Sequence, residues 1–379
     1  MEALRLHGDL IGRQGSRRQL NTPALIVDIE ALDANIATMA GFARRAGVNL
    51  RPHSKTHKSA DIARRQVAAG ALGICCAKLG EAEALAESGI GGLHITSAVV
   101  TPQAIGRLIA LNAVARDLSV VVDNPANVGA LDAAASAAGQ TLSVILDIDP
   151  GMHRTGVFDD GDVIRLARQI HDSRALRFAG VQFYSGKLQH VENHAERFKS
   201  VLEETARLAR LVNELRHAGM APAIVTGSGT GTHRIDAAQG IFTELQVGSY
   251  VFMDAQYDPV DLDGDGSRPF RQALQIDATI ISANSPGLAT ADAGLKAFAT
   301  DGPRPVLMAG APPGSSYRFF GDEYGAVVLP DGGRLPIGSV VTCQPPHCDP
   351  TVNLYEAYHV VRGDTLVDIW PVTARGRSR

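Results

Sequence analysis

Short apolar or β-branched runs recur along the chain, separated by Ala-, Glu- and Arg-rich segments with helical spacing of their apolar positions. The runs are NLRPH (49–53), GICCA (73–77), LHITS (93–97), LSVVVD (118–123), SVILDID (143–149), AGVQFYS (179–185), AIVTG (223–227) and LQVGSY (245–250). Between them, SADIARRQVAAG opens on Ser59 as an N-cap and stops at Gly70. Helical spacing also marks GEAEALAESG, TPQAIGRLIALN, NPANVGALDAAASAAG, DDGDVIRLARQI and the long NHAERFKSVLEETARLARLVNELRHAG. The runs are continuous rather than alternating, which predicts a parallel sheet covered on both faces. Eight of them favour an α/β fold of the (β/α)8 TIM-type barrel over an open doubly wound sheet. An earlier run, ALIVDI (24–29), precedes a helix at 30–46 and is expected to pair outside the barrel.

From about residue 268 helical periodicity disappears and Gly and Pro become frequent around short runs such as QIDATII, GAVVLP, GSVVTCQ and TLVDIW. That texture predicts a second, mostly antiparallel β domain. The division read from it is a barrel over 30–265 and a β domain built from 1–29 plus 268–379, with DPVDLDGDGSRP (258–269) as the linker. Its DLDGDG stretch has the look of a calcium loop but lacks the downstream Glu and the flanking helices, so no metal is expected there.

The 379 residues suffice for one large domain and a smaller partner, and 45% hydrophobic with 20% charged content is ordinary for a globular chain. Thirty-six Lys and Arg against 40 Asp and Glu, a net charge of −4, remove the electrostatic case for nucleic acid or an anionic membrane. The four cysteines, at 75, 76, 343 and 348, make no disulfide framework in a chain this long. The opening MEALRLHGDL has no apolar h-region, and no apolar stretch reaches the roughly 18 residues of a membrane helix. A cytoplasmic protein is expected.

In such a barrel the reactive groups lie where strands end. The first barrel run leads into RPHSKTHK, with Arg51, His53, Lys55, His57 and Lys58; the fifth into DPGMHRTG, with His153 and Arg154; the sixth into YSGKLQH, with Tyr184 and His190. The seventh ends in TGSGTGTH and the eighth in GSYVFMD. Backbone N–H groups of GSGTG (227–231), with Gly248, Ser249 and Tyr250, could cradle a phosphate, or the glycines could simply close a loop. Lys55 could be a surface lysine or, with its pKa lowered by Arg51 and the histidines, a Schiff-base amine. Lysine and phosphate cradle on one rim point to pyridoxal 5'-phosphate (PLP). In PPHCDPT, His347 and Asp349 would face one way on an extended segment and Cys348 the other. Imidazole plus carboxylate suits Mn2+, Co2+, Mg2+ or Zn2+, with positions left open for water and substrate.

Taken in order, NTPALIVDI, RPHSKTHKS, GICCAKLGEAE, DAGLK, HCDPT and WPVTARGRSR resemble the D-threonine aldolases, within the D-serine dehydratase-like branch of the alanine-racemase-type (fold type III) PLP enzymes. The resemblance implies that Lys55 carries PLP, that Arg154 and Tyr184 lie beside its ring, and that Thr226, Gly227, Gly229, Thr230, Ser249 and Tyr250 surround its phosphate. It further implies a divalent ion, Mn2+ foremost, on His347 and Asp349, with His190 near the substrate hydroxyl. A homodimer with active sites shared between barrel and β domain is implied too.

The dehydratases of this branch place His and Cys two apart, whereas Asp349 follows the aldolase pattern. The implied reaction is retro-aldol cleavage of a D-β-hydroxy-α-amino acid, of D-threonine or D-allothreonine type, to glycine and an aldehyde, with His190 taking the hydroxyl proton. Two positions depart from the aldolase pattern: Ser185 and Tyr324 stand where His is usual, and Lys187, His233 and Arg234 add positive charge. Those charges would suit a second substrate carboxylate, as in 3-hydroxy-D-aspartate. A dehydratase acting on D-serine or 3-hydroxyaspartate, a racemase and a PLP carrier are the rival readings. The racemase lacks a clear second base, and carriers lack a β domain.

Overall fold

Most of the barrel helices begin at a side chain that satisfies one or two of their first free N–H groups. In the computed structural model, which describes residues 6–379, Asp28, Ser59, Thr101, Asn124, Asp159 and Asn193 all cap in this way. Residues 1–5, the start of the segment assigned to the β domain and of the MEALRLHGDL stretch, lie outside the described residues.

Strand β1 (Ala24–Asp28) leads into α1 (Ile29–Ala46), and the barrel follows. Its elements are β2 (Asn49–Leu50), α2 (Ala60–Ala68), β3 (Ile74–Cys76), α3 (Leu79–Glu87), β4 (Leu93–Ile95), α4 (Pro102–Asn112), β5 (Ser119–Val122) and α5 (Pro125–Ala137). Then come β6 (Leu142–Asp147), α6 (Asp160–His171), β7 (Leu176–Phe183), α7 (His194–His217), β8 (Ile224–Gly227), α8 (His233–Ala238) and β9 (Glu244–Leu245). All eight barrel strands pair in parallel, in the order β2-β9-β8-β7-β6-β5-β4-β3. The two ends meet: Leu72 N–H donates to Leu50 O, Cys75 N–H donates to Pro52 O, and His53 bridges Cys75. The run expected as a strand over 49–53 is reduced to Asn49–Leu50 plus that bridge. Pro52 has no N–H to give on the β3 side.

The second domain holds β10 (Leu274–Ser285), β11 (Leu288–Ala291), β12 (Val306–Ala309), β13 (Ser316–Phe319), β14 (Gly325–Val328) and β15 (Val340–Gln344). A short helix α9 (Cys348–Val352) and strands β16 (Ala357–Arg362) and β17 (Thr365–Pro371) complete it. Strand β1 is inserted here, antiparallel to β10 and parallel to β16, and so lies outside the barrel. This domain returns to the barrel rim at two places. Tyr358 Oη donates to His57 O at 2.5 Å, and Ala374 N–H donates to Lys58 O at 2.9 Å. No helix among the described residues is long and apolar enough to cross a membrane.

Inside the barrel, Arg51 is turned away from Lys55. It makes a two-point ion pair with Glu244 (2.9 and 3.1 Å) and also donates to Gly92 O. Both side chains are nearly inaccessible, so removing one leaves an uncompensated charge. Arg51→Leu is therefore expected to lower the unfolding free energy by about 3–5 kcal/mol, measured by urea denaturation; a loss under roughly 1 kcal/mol would mean that Glu244 finds compensation elsewhere.

Candidate active site

Lys55 sits on a single 3₁₀ turn, Ser54–Thr56, which follows the shortened β2 after Arg51, Pro52 and His53. The His53 ring caps that turn by accepting the Lys55 N–H at Nδ1 (3.3 Å), and its Nε2 meets Thr96 Oγ1 at 3.1 Å. Burial leads the causes that hold His53 well below the usual imidazole range, so it is neutral and its acceptor lone pair is available. Lys55 points into a cavity of about 420 Å³ lined by His53, Thr96, Gln182, Tyr184 and Gln246 within the barrel and by Lys78 and Arg154 at its mouth.

The floor of this cavity is a buried hydrogen-bond network. Gln182 donates to Asp147 at 2.9 Å and meets His94 at 3.1 Å, and Gln246 donates to Gln182 and Thr226 at 3.0 Å each. Burial pushes His94 down to about 4 and Asp147 up to about 6. Thr226 is thus placed in the floor.

The turn carrying Lys55 packs against α9, and Lys55 Nζ contacts Asp349 Oδ2, across 294 residues of sequence. Burial by itself would lower the lysine pKa, but the Asp349 carboxylate and then Tyr184 outweigh it and raise the value. This reverses the expectation of a lowered pKa: Arg51 is spent on Glu244, and the nearest charge is an anion. Asp349 itself is held well below the usual carboxylate range. Its burial opposes that direction, and the Lys55 and His347 charges overcome it.

The His-x-Asp segment is not extended as expected. His347 is the residue before α9, and the chain turns helical from Cys348. Buried Asp254 explains this: its Oδ2 accepts the Cys348 N–H at 2.7 Å, and its Oδ1 accepts Gln256 N–H at 3.1 Å. Cys348 is buried, and its thiol is pushed far up by that burial. His347 Nδ1 bonds Asp301 Oδ2 at 2.9 Å, which leaves Nε2 as its free nitrogen. Among the described residues no three His, Cys, Asp or Glu side chains form a metal-holding cluster. The donors left available, one imidazole nitrogen and one carboxylate, fit a two-ligand ion with open positions.

His190 keeps an exposed edge and packs at a tilt against Tyr257, with ring centroids 4.6 Å apart and planes at 53°. Burial, then the nearby His347 and Lys55 charges, lower its pKa. Arg154 is exposed and lies over the Tyr184 ring, 5.5 Å from its centroid.

The glycine loop serves close packing as well as any ligand. A side chain on Gly227 would strike the Phe183 carbonyl, and one on Gly229 would strike Gln189. Gln189 also accepts the Gly231 N–H at 2.9 Å. Among the described residues, the N–H groups of Gly229, Thr230 and Ser249 have no acceptor, and buried Thr56 Oγ1 has no partner. A Cβ on Gly248 would come within 2.7 Å of that hydroxyl. Unpaired donors around a glycine cradle fit an oxyanion such as the PLP phosphate. Tyr250 departs from its expected place there. Its hydroxyl meets Gln66 at 3.0 Å and its N–H donates to Thr230 Oγ1 at 2.9 Å, so it packs in the core.

The extra positive charges are neutralised rather than aimed at the cavity. Lys187 pairs with Glu204 at 2.9 Å and Arg234 with Asp263 at 2.5 Å. His233 is buried, bonds Thr230 O at 2.8 Å and is pushed down by burial to about 4. Ser185 lines a separate small pocket with Glu204 and Asp236, and Tyr324 is exposed between β13 and β14. Sequence reasoning passed over Lys78, Asp254 and Asp301. Lys78 was findable, because it follows a barrel strand as Lys55 does; the two aspartates are joined to the site only by folding.

Asp349→Asn removes the anion that raises Lys55. The pH at which the protein takes up PLP half-maximally, followed by visible absorbance, is expected to move down. An unchanged midpoint would show that another group holds the lysine proton.

Residues 27–256 match the family model described as "Alanine racemase, N-terminal domain", and residues 273–361 match one described as "Putative serine dehydratase domain". The chain is 40% identical to a D-threonine aldolase of Arthrobacter sp, over 95% of this chain and 94% of that one. It is 36% identical to a 3-hydroxy-D-aspartate aldolase of Paracoccus denitrificans (strain Pd 1222), over 95% and 93%. The crystal structure of D-threonine aldolase from Filomicrobium marinum superposes with a TM-score of 0.91 at 38% identity, covering 96% of this chain and 97% of that one. With a barrel, a β domain and a lysine at the strand end all in place, the chain belongs to the alanine-racemase-type, fold type III family of PLP enzymes, in the group of the D-threonine aldolases.

Proposed function

We propose that this chain is a PLP- and divalent-metal-dependent aldolase that cleaves D-β-hydroxy-α-amino acids to glycine and an aldehyde. The observation that supports the reading is the contact of Lys55, which lines the cavity, with Asp349 of the His-x-Asp segment beside it. Lys55 would hold PLP, and the N–H groups of Gly229, Thr230 and Ser249 its phosphate. When bound, the cofactor supplies an electron sink for the Cα–Cβ bond. His347 Nε2 and Asp349 would hold the ion, which supplies a Lewis acid for the β-hydroxyl.

His190 is the proton acceptor in this reading. Its lowered pKa keeps it unprotonated near neutral pH, and its exposed edge leaves it free to take a proton. Arg154 is held over Tyr184, where both can flank the cofactor ring. Asp301 orients His347, and Asp254 fixes the turn that carries both ligands. The His-x-Asp pair favours an aldolase over a dehydratase, because the intervening Cys348 is buried and held as the thiol. A cytoplasmic homodimer with shared sites, loaded with Mn2+, completes the proposal; Co2+, Mg2+ and Zn2+ are the other candidate ions.

With D-threonine, PLP and Mn2+, the expected products are glycine and acetaldehyde, lost on adding a chelator. Ammonia and 2-oxobutyrate would instead move the chain to the dehydratases. Lys55→Ala is expected to abolish both turnover and visible cofactor absorbance. His347→Ala is expected to retain the absorbance and lose metal-stimulated cleavage; loss of PLP would overturn the role given to His347.

A further inference from the structure

We infer that Lys78 binds a carboxylate of the substrate, an inference that rests on the amino-acid-cleaving reading above. Lys78 is the second residue past β3 and immediately precedes α3, so it stands on the same rim as Lys55. The backbone there is fixed from behind. Lys58 pairs with Glu81 at 3.0 Å, and Glu81 Oε2 accepts the Ala77 N–H at 2.8 Å.

The charge pattern of the cavity carries the argument. Its lining holds Lys55, Lys78 and Arg154 and no Asp or Glu. Lys55 is engaged by Asp349 from outside that lining. The other cations near the rim are spent as well: Arg51 on Glu244, Lys187 on Glu204 and Arg234 on Asp263. Among the described residues neither Lys78 nor Arg154 has a carboxylate partner, and Arg154 is occupied with the Tyr184 face. Lys78 also forms no cap on α3, so nothing local accounts for its position on the cavity wall.

A β-hydroxy-α-amino acid that gives its amine to the cofactor brings in its α-carboxylate, and some bring a second carboxylate on the side chain. An ammonium on a flexible stem, with three donors, can meet either one as a point charge. Such a contact fixes how the substrate lies over the ring.

The test compares holoenzyme with Lys78→Met and Lys78→Arg, using D-threonine and 3-hydroxy-D-aspartate as substrates. A second readout needs no cleavage: D-alanine and D-aspartate lack the β-hydroxyl, and their dissociation constants follow from the change in visible cofactor absorbance. Lys78→Met is expected to weaken binding about ten- to a hundredfold, with kcat little changed and PLP affinity retained, and Lys78→Arg to restore most of it. Loss with all four ligands assigns the α-carboxylate. Loss confined to 3-hydroxy-D-aspartate and D-aspartate assigns the side-chain carboxylate. Unchanged binding overturns the inference, and so does a loss of PLP affinity, which would give Lys78 to the cofactor. A native protein that binds these amino acids but releases no glycine would refute the aldolase reading and leave Lys78 to be judged on the dissociation constants.

Discussion

The contact between Lys55 and Asp349 ties together two parts of the chain that share no local structure. Lys55 rides on a 3₁₀ turn of the barrel, and Asp349 on a short helix of the β domain. The Asp349 carboxylate is mostly covered and Lys55 is half-buried, and each charge biases the other's protonation. An ion pair in that setting tolerates little misplacement, because desolvation offsets its attraction unless the geometry is good. The surrounding structure supplies that geometry. His53 caps the lysine turn, Asp254 caps the aspartate turn, and Tyr358 closes on the His57 carbonyl. Without domain docking, neither Lys55 nor Asp349 has its partner.

Backbone strain gathers on the same rim. Of the six non-glycine residues with positive φ among the described residues, Lys58, His153, Ser228 and Met253 lie in loops that follow barrel strands β2, β6, β8 and β9. Such conformations cost about 1–3 kcal/mol each and persist only where the surroundings over-determine them. The barrel floor is suited to that task. Its buried His94, Gln182, Gln246 and Thr226 are joined by hydrogen bonds, and His94 stays neutral because burial forbids the charge.

Charge in the site is decided by what each cation already touches. Lys187 and Arg234 are conspicuous in sequence, yet both are engaged by carboxylates outside the cavity. Lys78 is inconspicuous in sequence and stands on the wall unpaired among the described residues. The cavity lining thus has cations and no acids, which favours an anionic ligand.

The alternation of strands and helices, the caps at Ser59 and Asn193, and the exit of β1 from the barrel were legible in the sequence, because each rests on spacing within a few residues. The placement of Lys55, Arg154, Tyr184 and His190 after barrel strands was legible for the same reason: in this fold a strand end is also a rim position. The conformation of the His347–Asp349 segment was not, since Asp254, which turns it helical, lies 94 residues away. Nor was the direction of the Lys55 pKa, nor the packing role of Tyr250. The sequence by itself determined which elements form and which residues reach the rim; tertiary structure alone decided which charges meet there, because electrostatics depends on distance through space and on burial, and neither is written in sequence separation.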